Sequence, residues 1–214
     1  MIRLLLVDDH TAFREALALI CSIEEDISVI SQAGSIEEAR KYIQSVNFVL
    51  LDLGLPDGNG VDFVREIKSS NPACHVLVLT GSMNKLDLAR AIDAGADGVM
   101  LKLSRVQDII QAIRCISAGG SIHSPQEIAE LLLLAGRARI EDANARDKIG
   151  QLTDREREIL QAIAEGLSDK EIAARFNITV DTAHKHANNI LRKLDTNSRL
   201  QAVLFALRHG AISL

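Results

Sequence analysis

Five short apolar runs, separated by segments with helical spacing, dominate the first 118 residues. They lie at residues 2–7, 27–30, 48–51, 76–79 and 99–101. The runs are apolar apart from Arg3 and Ser28 and do not alternate, which is typical of strands buried on both faces of a parallel sheet. Strands that alternate with helices predict an α/β fold, here a doubly wound five-stranded parallel sheet of the flavodoxin-like kind.

Polar side chains follow four of these predicted strands. Asp8 and Asp9 end the first strand, Asp52 the third, Thr80 the fourth and Lys102 the fifth. Each alone is explained by capping of a helix or turn, but five together favour a ligand crevice, because the carboxyl ends of parallel strands meet at one edge. Converging carboxylates repel one another and need a counter-charge, and such oxygen ligands suit Mg²⁺. One carboxylate can then act as a nucleophile and accept a phosphoryl group.

The sequence around these positions resembles the receiver domain of two-component response regulators. The matching segments are LLVDDH at 5–10, LLDLGLPDGNG at 50–60, LTG at 79–81 and GADGVMLK at 95–102. The resemblance implies that Asp52 is the phospho-acceptor, Thr80 the switch hydroxyl and Lys102 the phosphate partner. It also implies an Mg²⁺ site, whose ligands are Asp8, Asp9, Asp52 and the backbone carbonyl of Gly54.

Three positions depart from the pattern of that family. Val99 stands where an aromatic switch residue is usual, Leu103 where proline is common, and Gly81 where alanine or serine is common. A rotating aromatic ring therefore cannot report phosphorylation from position 99. These departures concern how phosphorylation would change the rest of the domain, and they leave the phospho-acceptor residues themselves intact.

A helical pattern runs from Leu152 to the end of the chain. Capping-box sequences stand at 153–156 and 168–171, Gly166 follows the first helical pattern and Asn177 follows the second. These signals predict helices at about 154–165, 169–176, 180–194 and 198–208. Before them, a connecting helix is expected at 126–135 and a polar linker at 137–150. The predicted organisation is residues 1–118, a linker with a connecting helix at 119–150, and an all-α tetrahelical domain at 151–214.

This second domain resembles the LuxR-type helix-turn-helix of the NarL/FixJ subfamily of response regulators. The matching segments are LTDREREIL at 152–160, GLSDKEIA at 166–173 and residues 182–194. The helix at 180–194 combines an apolar stripe with a polar face, as expected of a helix that reads the DNA major groove. By family position, the base-facing residues are His184, Lys185 and Asn188, and those near the DNA backbone are Thr182, Asn189, Arg192 and Lys193. His186 is assigned a structural or phosphate role.

The net charge of −5 argues at first against a nucleic-acid binder. Residues 1–118 hold 11 Lys and Arg against 16 Asp and Glu, whereas residues 151–214 hold 9 against 8. The acidity therefore belongs mainly to the first domain. DNA affinity is expected to depend on a locally basic helix and on pairing of two domains. Three scattered cysteines, no signal peptide and no apolar stretch of membrane-spanning length favour a reducing, cytoplasmic setting without a membrane. The resemblance to two-component response regulators implies that this cytoplasm is bacterial.

These features favour a DNA-binding transcriptional regulator that a sensor histidine kinase switches by phosphorylating Asp52. Its partners are the kinase, double-stranded DNA and, in the active state, a second copy of the chain; it is not an enzyme beyond its own phosphoryl transfer. One alternative is a phosphorylation-independent regulator whose atypical receiver serves dimerisation or ligand sensing, as Val99 and Gly81 would permit. Another is a metal-dependent phosphatase, which needs an acid where this chain has Gly54.

Overall fold

The computed structural model describes residues 1–213 as two compact units, which divide after Gly136. The first unit contains the α/β elements: β1 (Ile2–Val7), α1 (Thr11–Cys21), β2 (Ile27–Ala33), α2 (Ile36–Arg40), a 3₁₀ turn (Ile43–Ser45), β3 (Phe48–Asp52), β4 (Gly54–Leu55), β5 (Gly58–Asn59), α3 (Gly60–Ser70), β6 (His75–Thr80), α4 (Lys85–Asp93), β7 (Gly98–Leu101) and α5 (Val106–Ser117). The division falls inside α6 (Pro125–Gly150), and the second unit continues with α7 (Asp154–Ala164), α8 (Asp169–Phe176), α9 (Val180–Leu194) and α10 (Arg199–Arg208).

The five predicted strands form one parallel sheet in the order β2-β1-β3-β6-β7. Every residue of the central strand β3 is buried. Side chains that alternate along the strands fill two apolar cores, one on each face, with Leu5 and Val49 on one side and Leu4 and Phe48 on the other. The predicted doubly wound fold is therefore confirmed. The carboxyl ends of β1, β3, β6 and β7 meet at a single edge.

A small antiparallel hairpin, β4–β5, follows β3 and was not predicted. Gly60 permits its close return, because a Cβ there would lie 2.6 Å from the Cα of Leu53. Asp57 in the hairpin accepts hydrogen bonds from the backbone N–H groups of Ile36 and Glu37 and so caps α2. The hairpin thus fixes the chain just beyond Asp52.

Helix α6 is longer than the connecting helix expected from the sequence. That expectation covered residues 126–135 and placed a polar linker at 137–150, but the linker prediction is wrong, because the helix continues without a break to Gly150. Residues 137–149 are rich in Ala, Arg, Glu and Asp and contain no proline, so helix propensity favours continuation where no broad apolar stripe signals it. Among residues 1–213, no helix is long and apolar enough to span a bilayer.

The second unit consists of short, well-capped helices. Thr153 and Ser168 form capping boxes with Glu156 and Glu171, as predicted, and Asn177 ends α8 in the left-handed conformation (φ 51°). The predicted apolar stripe of α9 faces the core: Ala183, Ala187, Ile190 and Leu194 are buried, and Leu191 is half-buried against the same core. Leucine and isoleucine side chains from α7, α8 and α9 complete the core.

A polar cluster around Asp97 ties the start of β6 to the start of β7. Its carboxylate accepts hydrogen bonds from Lys68 Nζ (2.6 Å) and the Val76 backbone N–H (2.7 Å), and lies 3.2 Å from His75 Nδ1. Burial raises the pKa of Asp97, but these hydrogen bonds outweigh it and hold the pKa below its usual value. Because the folded pKa is the lower one, the carboxylate stabilises the fold above pH ~3.9, and this contribution is lost as the pH falls through the folded pKa.

We therefore expect Asp97→Ala to lower the free energy of unfolding of the first unit by ~2 kcal/mol at pH 7, with a smaller difference below pH ~4. Tyr42, in a chain with one tyrosine and no tryptophan, packs against the core of this unit, so its fluorescence reports urea unfolding there. The exposed pair Asp62–Arg65 supplies a matched control, and Asp62→Ala should change little. A difference for Asp97→Ala that is the same at pH 7 and pH 3 would contradict the assignment.

Candidate functional site

The polar residues predicted at the strand ends do lie together. Asp8 follows β1, Asp52 ends β3 and Thr80 ends β6, and these three side chains are buried, with 3–6% of each residue exposed. Asp9 is more open, with 36% of its side chain exposed. The three groups stand at the carboxyl ends of neighbouring parallel strands, so their positions follow from the sheet topology.

Lys102 supplies the counter-charge of this acidic site. Its Nζ lies 2.8 Å from Asp8 Oδ2 and 2.9 Å from Asp52 Oδ2, and only 15% of its side chain is exposed. Burial lowers the pKa of Lys102, but the hydrogen bonds to the two carboxylates outweigh it, so the net shift is upward. The ammonium therefore stays charged beside Asp52, where it can offset the charge of an added phosphoryl group.

The acidic cluster is compatible with a divalent cation. Asp8, Asp9, His10 and Asp52 each place one ligand atom within 4.8 Å of the others. Three carboxylates from two strand ends are the hard oxygen donors that such cations prefer. His10, which the sequence reasoning did not place here, lies 2.6 Å through Nδ1 from Asp9 Oδ1. Its position directly after Asp8 and Asp9 was the available signal.

A cleft of about 880 Å³ opens above Asp52. Thr80 lines it, and its Oγ1 accepts a hydrogen bond from the backbone N–H of Ser82 (3.0 Å). Gly54 also lines it, and a Cβ at that position would lie 3.5 Å from Asp52 Oδ2. A Cβ at Gly81 would meet no atom within 4 Å, so the approach to Asp52 is open on that side.

Val99 is buried on the edge strand β7, with 5% of its surface exposed. Its backbone N–H donates to Nε2 of His123, at 3.1 Å, so a side chain from the segment before α6 satisfies a group of the sheet edge. The position that an aromatic residue usually fills in the family is thus part of the packed core and in direct register with Val78 of β6.

Helix α9 presents the predicted polar face. Asp181, His184, Lys185, Asn188, Asn189 and Arg192 are exposed, whereas Thr182, His186 and Lys193 are half-buried. Lys185 Nζ lies 2.7 Å from Asp181 Oδ2, and this hydrogen bond raises the pKa of Lys185. Thr182 and Thr179 hydroxyls are 2.8 Å apart at the helix start. Most of the predicted set therefore shares one solvent-facing surface.

Lys193 differs from the rest of that set. Its Nζ lies 2.6 Å from Oε2 of Glu156, which is 4% exposed and whose carboxylate also closes the capping box of α7. Burial raises the pKa of Glu156, but the hydrogen bonds from Lys193 and Thr153 hold it below its usual range. Lys193 thus neutralises a buried carboxylate, and contact with a DNA backbone would require this pair to separate.

Asp169, at the start of α8, was missed by the sequence reasoning. Its Oδ2 accepts a hydrogen bond from Arg199 Nη2 (2.8 Å) and lies 3.3 Å from Nδ1 of His184. It therefore joins α8 to both α9 and α10. The capping box located it at a helix start, but no local pattern indicated its two distant partners.

Both halves of the chain match known protein families. Residues 4–114 match the response regulator receiver domain, and residues 150–206 match the luxR family of bacterial regulatory proteins. The chain belongs to the response regulators that carry a LuxR-type DNA-binding domain. It is a transcriptional response regulator, as the two resemblances predicted.

Individual relatives cover the whole chain. The response regulator protein VraR of Staphylococcus aureus is 35% identical, and the match spans 99% of each chain. The solved structure of response regulator ChrA from a heme-sensing two-component system is 27% identical with a TM-score of 0.52, covering 99% of this chain and 98% of that one. An RcsB–DNA complex shares the fold, with 21% identity, a TM-score of 0.55 and coverage of 97% and 98%.

Proposed function

We propose that this response regulator accepts a phosphoryl group on Asp52 from a sensor histidine kinase and that phosphorylation controls its binding to double-stranded DNA. The observation that carries the proposal is the buried Asp8–Lys102–Asp52 arrangement beneath an open cleft. The receiver promotes its own phosphorylation only, so the protein is not an enzyme in the wider sense.

In the proposed step, an Asp52 carboxylate oxygen attacks the phosphorus of the kinase's phosphohistidine. A P–O bond forms as the P–N bond breaks, and the leaving imidazole keeps the electron pair and takes up a proton. The ammonium of Lys102, within 2.9 Å of the nucleophile, stabilises charge on the phosphoryl oxygens. Leu103, which is 91% exposed at the rim of the cleft, offers an apolar contact to the approaching kinase.

Mg²⁺ fits this site better than a softer metal, because the donor set is dominated by carboxylates. Asp8, Asp9 and Asp52 would hold it, together with the backbone carbonyl of Gly54. When bound, the cation supplies further neutralisation of the transferring phosphoryl group. Asp9, the most exposed of the three carboxylates, lies at the open side of the cluster.

The polar face of α9 is the proposed DNA contact. His184, Lys185 and Asn188 project from one side of its first nine residues, toward the end with which a major-groove helix reads base edges. Thr182, Asn189 and Arg192 flank them toward the DNA backbone, whereas the Lys193 contact competes with Glu156. Because residues 151–214 carry a net charge of only +1, two copies acting together would supply the affinity.

A homodimer is therefore part of the proposal. Leu200 and Leu204, one turn apart on α10, are 68% and 55% exposed and offer a modest apolar contact. Phosphorylation would draw Thr80 toward the phosphoryl group, change the surface around β6 and β7, and free or pair the DNA-binding domains. The setting proposed for this activity is the bacterial cytoplasm.

The test compares DNA binding of the full chain with and without phosphorylation. A duplex is selected from a randomised pool, and affinity is measured by gel shift after incubation with phosphoramidate and Mg²⁺. We expect phosphorylation to tighten binding by about tenfold or more, since coupling between sites is commonly worth 1–3 kcal/mol. Asp52→Asn should bind equally in both conditions.

The alternative is a regulator that binds DNA without regard to phosphorylation. Val99 within the core and the open space at Gly81 favour it, because neither position holds a group that would respond to Asp52. Equal affinity of the phosphorylated and unphosphorylated chain would select this alternative.

A further inference from the structure

Asp169 holds one side of the imidazole of His184. The carboxylate is largely shielded, with 23% of its side chain exposed, whereas 58% of the His184 side chain is open to solvent. Nδ1 of His184 lies 3.3 Å from Asp169 Oδ2, so one ring nitrogen is engaged inside the domain. The other, Nε2, is the nitrogen that remains for an external partner.

Arg199 makes the Asp169 carboxylate a fixed acceptor. Its Nη2 lies 2.8 Å from Oδ2 and 2.7 Å from Oδ1. The hydrogen bond to Arg199 lowers the pKa of Asp169 most; burial raises it, and the contact with His184 lowers it further. An ionised carboxylate only accepts hydrogen bonds, so Nδ1 of His184 must carry the proton that it donates.

We propose that Asp169 is a positioning residue for DNA recognition, which fixes the tautomer and orientation of His184 and presents Nε2 to the major groove. The inference rests on the proposed function, in which His184 faces base edges. In the neutral ring, Nε2 accepts hydrogen bonds and therefore pairs with the exocyclic amino group of adenine or cytosine. Asp169 thus acts on sequence preference without contacting DNA itself.

The arrangement resembles the way in which a carboxylate orients a metal-binding histidine from its far nitrogen. A freely rotating imidazole would offer either nitrogen, as donor or acceptor, and would discriminate poorly among bases. The tie to α8 removes that choice, because Asp169 and Arg199 are held between three helices. Specificity at one base pair would then depend on a residue fifteen positions before the reading side chain.

The experiment measures base preference with the full-length protein. A duplex is selected from a randomised pool with the wild type, and affinities for all single-base variants are measured by fluorescence anisotropy. His184→Ala identifies the base pair that His184 reads. We expect Asp169→Ala to reduce discrimination at that same base pair by about fivefold, the equivalent of one hydrogen bond, and to have no added effect in the His184→Ala background.

Two further variants separate positioning from folding. Asp169→Asn keeps an acceptor oxygen at the Oδ2 position, which both His184 and Arg199 contact, but replaces Oδ1 with an amide group that donates. It should therefore retain more of the discrimination than Asp169→Ala and less than the wild type. Asp181→Ala removes a carboxylate from the same exposed face of α9, where it pairs with Lys185, and should leave preference at the His184 base pair unchanged. Rescue by asparagine with no effect of Asp181→Ala supports the inference.

The remaining outcomes overturn it. If His184→Ala abolishes discrimination but Asp169→Ala does not, the DNA-reading face stands and the positioning role fails. If Asp169→Ala loses the same amount of affinity for the selected and the unrelated duplex and also has a lower thermal stability, Asp169 has a structural role only. If His184→Ala changes no base preference, the premise is wrong. A selection that enriches no sequence contradicts the proposed function and the inference together.

Discussion

Asp52→Asn is expected to lower phosphate incorporation by about a hundredfold or more, to the background of a protein-free sample. The substitution keeps the shape of the side chain but removes the nucleophilic carboxylate at the end of β3. Asparagine still accepts a hydrogen bond from Lys102, so the domain should stay folded. Incorporation from phosphoramidate with Mg²⁺ is measured by intact-protein mass spectrometry, and the acyl phosphate is identified by its cleavage with hydroxylamine.

Asp57→Asn is the matched control for this prediction. Asp57 lies five residues away in the same hairpin region, but its two oxygens cap α2 rather than facing Lys102. It should therefore take up phosphate like the wild type. Removal of Mg²⁺ with EDTA, or the substitution Asp9→Ala, should slow phosphate incorporation, and the phosphoryl group should still be attached to Asp52. Unchanged labelling of the Asp52→Asn protein would remove Asp52 as the acceptor.

The α/β half of the molecule could be predicted from sequence because its central strands are buried on both faces. Residues 48–51 contain no polar side chain, and the structure places them in the middle of the sheet. β2 is an edge strand whose last residues include Ser31 and Gln32, so its apolar signal ended three residues before the strand did. The hairpin after Asp52 has two residues a strand, too few for any periodicity.

Local sequence patterns could not predict side-chain contacts between helices that are far apart in the sequence. The capping box at 153–156 predicted the bonds between Thr153 and Glu156, but Lys193 reaches the same carboxylate across 37 residues. The helical period of α9 correctly separated its buried and polar faces. It could not show that the half-buried Lys193 is paired internally, or that Asp169 holds His184.

Lys185→Ala should weaken binding to the selected duplex by about tenfold, because a lysine at a base edge in the major groove contributes strongly to discrimination. The side chain is 72% exposed and pairs with Asp181, one turn earlier on the same helix. Binding to DNA would exchange this exposed pair for a base or phosphate contact. Fluorescence anisotropy on the selected duplex and on an unrelated one measures the specific and non-specific parts.

Lys193→Ala distinguishes the two lysines of α9. Because Lys193 neutralises the buried Glu156, its loss should lower the free energy of unfolding of the second unit by ~2 kcal/mol. Lys185→Ala should leave that stability unchanged, since both members of its pair are exposed to solvent. Hydrogen exchange in α7 and α9 follows the second unit separately.

The Lys185→Ala affinities decide the role of that lysine. Wild-type affinity of the Lys185→Ala protein for the selected duplex would contradict the assigned DNA-binding face. An equal loss of affinity on both duplexes would instead assign Lys185 to phosphate contact rather than base reading.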